Sequence, residues 1–281
     1  MSEVQLVIII PASNEEHYIL SCLKSITNQV SDTKFLTIVS ANACTDGTVD
    51  LANSCSDLFS SQGHKLHVLC SPEPGKAHAL NRAEKAIPPE YKELPRLFLD
   101  ADVTCDSNLL AQLLDALDSS APRFATGTIS VSEAQSRVTR AYARIWCRLP
   151  FVSEGVTGAG LFAVNSAGRK RWGKFPQIIS DDTFVRLNFS PEERIGVSAR
   201  YHWPMVEGLR ALIKVRRRQD QGVREVYSLY PHLIGKEGKR TVHKTELFKL
   251  ALTMPIDFLL YALVHILTRM SRSSDDWARG R

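Results

Sequence analysis

Apolar, mostly β-branched residues fill positions 6–10 without a break, and Pro11 is expected to end the run. A run of that kind suits a strand buried on both faces of a parallel sheet. Behind it, Ser13-Asn14-Glu15-Glu16 has the form of a capping box, with Ser13 as N-cap and Glu16 at the third helical position. Ile19, Leu20, Leu23 and Ile26 then recur at helical spacing. The alternation continues. Residues 35–39 read as a second strand, and the turn residues from Asn42 to Thr48 open a helix over 49–58. Residues 67–70 make a third short strand, followed by a Pro/Gly loop and a helix over 76–86. Residues 97–99 make a fourth strand that stops at Asp100.

Strands alternating with helices predict an α/β fold with a mostly parallel central sheet flanked by helices and right-handed crossovers. Ligands of such sheets bind beyond the carboxyl ends of the strands. Every polar motif named so far falls at one of those ends. After residue 117 the pattern changes. Residues 127–131 look like a strand, and 137–148 like a helix with aromatic and basic faces. Residues 155–164 are Gly-rich and then apolar; Asp181-Asp182 opens a helix through 187, and 209–215 is helix entering a basic run.

Charge adds one asymmetry. From Arg210 to the end there are 15 Lys/Arg against 7 Asp/Glu, whereas the rest of the chain has 20 against 23. The excess suggests an anionic partner, a phosphate group or an acidic membrane surface, with a solvated basic tail as the plain alternative. Within it, positions 247–270 are rich in Leu, Phe, Ile and Tyr, but Pro255, Asp257 and His265 interrupt them. From Pro255 to Arg269 there are about 15 residues, short of the ~20 needed to span a bilayer. We expect an interfacial helix or one packed on the protein itself. The six cysteines form no CxxC pair, and the N-terminus has no basic region before its apolar segment. Both features lead us to expect a reducing compartment, the cytoplasm, with possible peripheral contact at the inner face of an anionic membrane.

The candidate chemistry is acidic. Asp100-Ala101-Asp102, read as an extended strand end, sets two carboxylates on one side of the chain. Like charges so placed call for a cation, and hard oxygen ligands suit Mg²⁺ or Mn²⁺; capping aspartates are the structural alternative. Gly75-Lys76 at a helix start can meet a diphosphate, although a Gly-Lys pair is often structural. Asn42 and Asp46 can bond a base edge or ribose, or equally their own turn. Asp181-Asp182 can supply a general base or simply complement a helix dipole. The chain has no GxSxG, Walker A, GxGxxG, HxxH or HExxH motif, which removes hydrolase, P-loop, dinucleotide dehydrogenase and His-based zinc readings.

Taken in order, these residues resemble family 2 glycosyltransferases, an inverting group with the GT-A fold, over about residues 4–222. Pro11-Ala12-Ser13-Asn14-Glu15 looks like the family's P-x-x-N-E start, and Asn42 to Thr48 like its D-D-G-S-x-D-G-T loop, with Ala41 and Asn42 in place of the leading acids. Gly75-Lys76 with Ala79-Leu80-Asn81 matches G-K-x-x-A-L-N, Asp100-Ala101-Asp102 matches D-x-D, and Asp181-Asp182 resembles the E-D pair. The resemblance implies a Rossmann-like nucleotide-sugar-binding half (residues 1–105), an acceptor half (106–225) and a C-terminal helical extension (226–281). It implies donor contacts from Pro11, Ala12, Asn14, Glu15, Asn42, Asp46, Gly75, Lys76, Asp100, Ala101 and Arg218. It further implies a divalent ion, Mg²⁺ or Mn²⁺, on Asp100 and Asp102, with Asp182 as base and Asp181 beside it. Residues 215–219 read Val-Arg-Arg-Arg-Gln where processive synthases carry Q-x-x-R-W, which points to a non-processive enzyme. The expected reaction moves sugar from a UDP- or GDP-sugar to a saccharide or lipid-linked acceptor, with no nucleic-acid partner. A catalytically silent nucleotide-sugar-binding subunit and a nucleotidyltransferase are the alternatives.

Overall fold

The computed structural model describes residues 4–270. The first half alternates as expected: β1 (Val4–Ala12), α1 (Ile19–Thr27), β2 (Lys34–Asn42), α2 (Thr48–Asn53), α3 (Ser56–Ser61), β3 (Lys65–Ser71), α4 (Lys76–Lys85) and β4 (Arg96–Leu99). Next come β5 (Thr104–Cys105), α5 (Leu109–Leu117), β6 (Phe124–Val131), α6 (Arg137–Trp146), α7 (Pro150–Ser153), β7 (Leu161–Val164) and α8 (Ser166–Arg169). The chain then forms α9 (Asp181–Leu187), β8 (Arg194–Trp203), α10 (Leu209–Leu229), α11 (Lys244–Thr253) and α12 (Pro255–Met270).

All eight strands lie in one sheet, ordered β3-β2-β1-β4-β7-β6-β8-β5. The first four are mutually parallel, as is the β6–β8 pair, while β7 runs antiparallel to both its neighbours and β5 to β8. The apolar run of β1 explains why this strand is central. Leu6, Ile8 and Ile10 point into one core with Ile19, Cys22, Leu23 and Ile26 of α1, while Val7 and Ile9 point into the other with Ala77, Leu80 and Ala83 of α4. Each face takes alternate residues, so all five side chains are buried at roughly 1.5–3 kcal/mol apiece.

Several local expectations are corrected. Pro11 does not end β1, because the strand continues to Ala12 with Pro11 beside Ser40 of β2. The capping box at Ser13 does not form. Helix α1 starts only at Ile19, and Glu16 Oε2 instead accepts the backbone N–H of Gly47 at 3.0 Å. The helix expected over 49–58 divides into α2 and α3. Residues 209–215 are only the first third of α10, which runs on through the basic stretch and across residue 225.

The C-terminal helices close one side. Val264 of α12 is fully buried in a third cluster with Tyr142, Trp146 and Leu212, and the Tyr261 ring stacks on Tyr142 at 5.2 Å. Asp257, which would be costly inside a bilayer, is held by Arg144 through two bonds of 2.6 and 2.7 Å. Residues 271–281, which the expected extension includes, lie outside the described residues.

Candidate active site

A cavity of about 650 Å³ opens at the carboxyl ends of β1, β2 and β4. Its floor begins with the loops that follow β1 and β2, which are stitched together. Asn14 Oδ1 accepts from the Thr45 N–H (2.8 Å), Thr48 Oγ1 from the Glu15 N–H (2.7 Å) and Asp46 Oδ2 from the Glu16 N–H (3.2 Å). Asn14 and Ala43 both adopt positive φ, at 59° and 49°, a conformation that costs most residues roughly 1–2 kcal/mol and is held here by the surrounding bonds. Pro11, Ala12, Asn14, Glu15 and Asn42 all line the cavity. The Asn42 side-chain amide is occupied, donating to the carbonyls of Glu73 and Gly75, and so fixes the approach to α4. Asp46 stands apart from the lining. Its carboxylate accepts from Thr48 N and Oγ1 as well as from Glu16, and these bonds outweigh partial burial to hold it below the usual carboxylate range. It is a turn-building residue.

Asp100 and Asp102 are brought together by a different geometry from the expected one. Strand β4 ends at Leu99, and Asp100-Ala101-Asp102 bends into a turn in which Val103 N–H donates to the Asp100 carbonyl at 3.1 Å. The extended-strand rule therefore does not apply to the pair, yet both line the cavity. Behind them Asp100 N–H donates to Gly160 O, and the buried Tyr201 hydroxyl donates to Ala159 O at 2.7 Å. These bonds pin the 158–160 loop against the turn. Gly160 has φ 75°, and a Cβ there would come within 3.1 Å of Trp203.

Lys76 is the centre of the charge arrangement. Its Nζ lies 2.8 Å from Asp100 Oδ1 and 3.1 Å from Asp181 Oδ1, bridging the two acidic motifs. Burial works against its charge, but the two carboxylates outweigh it and keep the ammonium protonated well above the ordinary lysine range. Asp181 is 5% exposed, and burial together with Asp182 and Asp100 outweighs Lys76 to push it up to about 6. Asp182, half-buried and lining the cavity, is raised as well, burial again being the main cause. With Asp181 engaged by Lys76, Asp182 is the more available of the two carboxylates.

The carboxyl oxygens of Asp100 and Asp102 are the hard donors that Mg²⁺ and Mn²⁺ prefer, and the lysine already drawn to Asp100 shows that the spot attracts positive charge. Among the described residues no group of three or more His, Cys, Asp or Glu is placed to hold an ion. Two carboxylates fit the usual Mg²⁺ pattern, in which the remaining positions go to water and substrate phosphates. The donor set fits such an ion.

Arg216 and Arg218 both line the cavity from α10, whereas Arg217 between them turns elsewhere. Arg216 pairs with Asp220 at 3.1 Å, and Arg217 donates to the carbonyls of Leu267 and Thr268 in the last turn of α12. The residues sequence reasoning missed form the opposite wall: Tyr142 and Trp146 of α6, Trp203 of β8, and Met205, Val206 and Leu212 beyond it. A faint signal existed in the i, i+4 spacing of Tyr142 and Trp146. His202, beside that wall, is paired with Asp106 at 2.9 Å.

A parallel sheet that turns antiparallel at β7, with an acidic turn at its centre and a nucleotide-sized cavity above, defines the GT-A class of glycosyltransferase. Over residues 7–173 the chain matches the model of glycosyl transferase family 2, and it belongs to that family. Mannosyltransferase PcManGT from Pyrobaculum calidifontis, solved with GDP-Man and Mn²⁺, superposes with a TM-score of 0.58 at 18% identity, over 96% of this chain and 76% of that one. Glucosyl-3-phosphoglycerate synthase from Mycobacterium tuberculosis, with Mn²⁺, UDP and glucosyl-3-phosphoglycerate, gives 0.54 at 18% identity over 80% and 79%. TarS from S. aureus with UDP-GlcNAc gives 0.53 at 16% identity over 94% and 84%. Among curated protein sequences none matches this chain.

Proposed function

We propose that the protein is an inverting, non-processive glycosyltransferase that moves a sugar from a UDP- or GDP-sugar to a hydroxyl of a saccharide or lipid-linked acceptor, in polysaccharide or glycolipid biosynthesis. The observation that carries this reading is the single cavity in which Asp100, Asp102, Lys76, Arg218 and the Asp181/Asp182 pair converge. Two of the solved structures named above hold Mn²⁺ with GDP-Man or with UDP, and the TarS structure holds UDP-GlcNAc, which supports the donor class.

The donor's nucleotide lies along the stitched loops of Pro11, Ala12, Asn14, Glu15 and Asn42, with Gly75 and Ala101 allowing close approach. Asp100 and Asp102 would hold Mg²⁺ or Mn²⁺, which when bound supplies positive charge to the leaving diphosphate. Lys76 and Arg218 add charge from the protein. Asp182 takes the proton of the acceptor hydroxyl as that oxygen attacks the anomeric carbon from the face opposite the diphosphate. The new C–O bond forms as the old one breaks, the nucleoside diphosphate leaves with the electron pair, and the configuration inverts.

The test is a panel of nucleotide sugars incubated with Mn²⁺ and lipid and saccharide acceptors, with diphosphate release followed for wild type and Asp182→Asn. Metal-dependent release that collapses in the variant supports the enzyme. Tight donor binding with no turnover under any acceptor would make the protein a silent nucleotide-sugar-binding subunit instead. Release of pyrophosphate from a sugar phosphate and a nucleoside triphosphate would make it a nucleotidyltransferase.

A further inference from the structure

The last two described helices keep large apolar side chains in water. Phe248, Leu252, Ile256, Leu259, Leu263, Ile266 and Met270 are each 40–74% exposed. Their spacing, steps of three or four residues, puts them along one stripe of each helix. Burial of the other face is complete at Val264 and nearly so at Thr268, so the helices are seated on the protein by one side and bare on the other. Both ends of α12 are fastened: Asp257 to Arg144, and the last carbonyls to Arg217. Among the described residues no helix is long and apolar enough to cross a membrane.

The charge around the stripe selects what covers it. Residues 244–270 contain two acids, and both are neutralised from outside the segment, Glu246 by Arg240 and Asp257 by Arg144. Lys244, Lys249 and Arg269 remain exposed beside the apolar residues, and no ion pair to them is found among the described residues. Apolar residues at the level of acyl chains with cations beside them are what an interfacial helix presents to anionic lipid. A second copy of the chain is a poor match, because two-fold pairing would set these cations against their own kind. We propose that residues 244–270 dock the protein on an anionic bilayer surface, lying in the interface without spanning it. The placement is functional in reach: Tyr142, on which Tyr261 of α12 stacks, also lines the cavity.

Sedimentation of the full chain with vesicles tests this directly and needs no turnover. The protein is expected to pellet with phosphatidylcholine vesicles containing about 30% phosphatidylglycerol, and far less with phosphatidylcholine alone. Leu259→Glu with Leu263→Glu should cut the bound fraction at least about tenfold, because the charges enter the acyl boundary. Lys244→Gln with Lys249→Gln, or raised salt, should weaken binding several-fold. All these positions are exposed, so an unchanged thermal midpoint and nucleotide affinity verify folding of the variants. The proposal is overturned if wild type stays in the supernatant, or if the Leu259/Leu263 variant binds as well as wild type. It is equally overturned if the face proves to hold a second copy, seen as a dimer in velocity sedimentation that the same variant splits. Vesicle binding that persists in a preparation with no transferase activity would leave the docking face standing and sink the catalytic reading alone.

Discussion

The two walls of the cavity are built on opposite principles. The side proposed to take the donor consists of strand ends and short loops: backbone amides, small residues and carboxylates, cross-linked by hydrogen bonds between segments about thirty residues apart. The far side consists of large rings on helices and at the end of β8, with Trp146 and Trp203 5.8 Å apart. A nucleoside diphosphate is rigid in its demands and highly charged, so fixed dipoles and ions suit it. An acceptor wall of aromatic and aliphatic side chains gives contact area and leaves identity to shape. The difference teaches that donor chemistry and acceptor choice can be separated by mutation.

The largest effect should come from the acid that belongs to both. Asp182→Asn is expected to lower kcat about 10²- to 10⁴-fold, with donor affinity nearly unchanged by calorimetric titration. A rate within tenfold of wild type would remove Asp182 from the role of base. On the aromatic side, Trp203→Ala should reduce acceptor kcat/KM by about 10- to 100-fold while hydrolytic release from the donor alone stays within about threefold. Equal losses in both assays would mean that the walls are not separable. On the donor side, Lys76→Met leaves Asp181 buried without its cation. Because the lysine is itself 40% exposed, we expect a modest loss of about 1–2 kcal/mol in urea unfolding, partly recovered by added Mg²⁺. A variant as stable as wild type would show that the bridge contributes nothing. The smallest effect is a shift in pH. If Asp182 is the base it works as the ionised carboxylate, and burial holds its carboxyl above the usual range, so the rate should climb as pH rises through that raised titration. Asp181→Asn removes a like charge, lets Asp182 ionise more easily, and should move the acid limb down. A limb that stays put or moves up would contradict the coupling.

The same contrast governs what could be read from the chain. In the donor half each strand announces itself locally, as β1 does by being apolar at both phases of its alternation. The order of motifs at strand ends then locates the site. Local reading fails where the partner is remote: the sequence pairs Glu16 with Ser13 beside it, whereas in the fold Glu16 accepts the Gly47 N–H. Asp100 and Asp102 both line the cavity, but from a turn and not from the extended strand end the sequence suggests, because nothing in three residues distinguishes the end of a strand from a turn. The aromatic wall was the least legible. Tyr142, Trp203 and Leu212 meet only after β8 pairs with β6, and no pattern within any one segment encodes that meeting. The extent of α10 is not legible because a basic run does not say where a helix ends, whereas in the fold Arg216 pairs with Asp220, Arg217 reaches the end of α12 and Arg218 lines the cavity.

Those arginines have a thermodynamic consequence. One turn of α10 sends Arg218 into the cavity and Arg217 onto the end of α12, so the ligand site and the bare C-terminal helix share a single mechanical element. Should occupancy of the cavity change the position of that turn, linkage requires the exchange to be reciprocal: a surface that tightens donor binding by some factor must itself be bound more tightly, by the same factor, when donor is present. Under that condition two adjacent side chains would make recruitment and substrate occupancy two readings of one equilibrium.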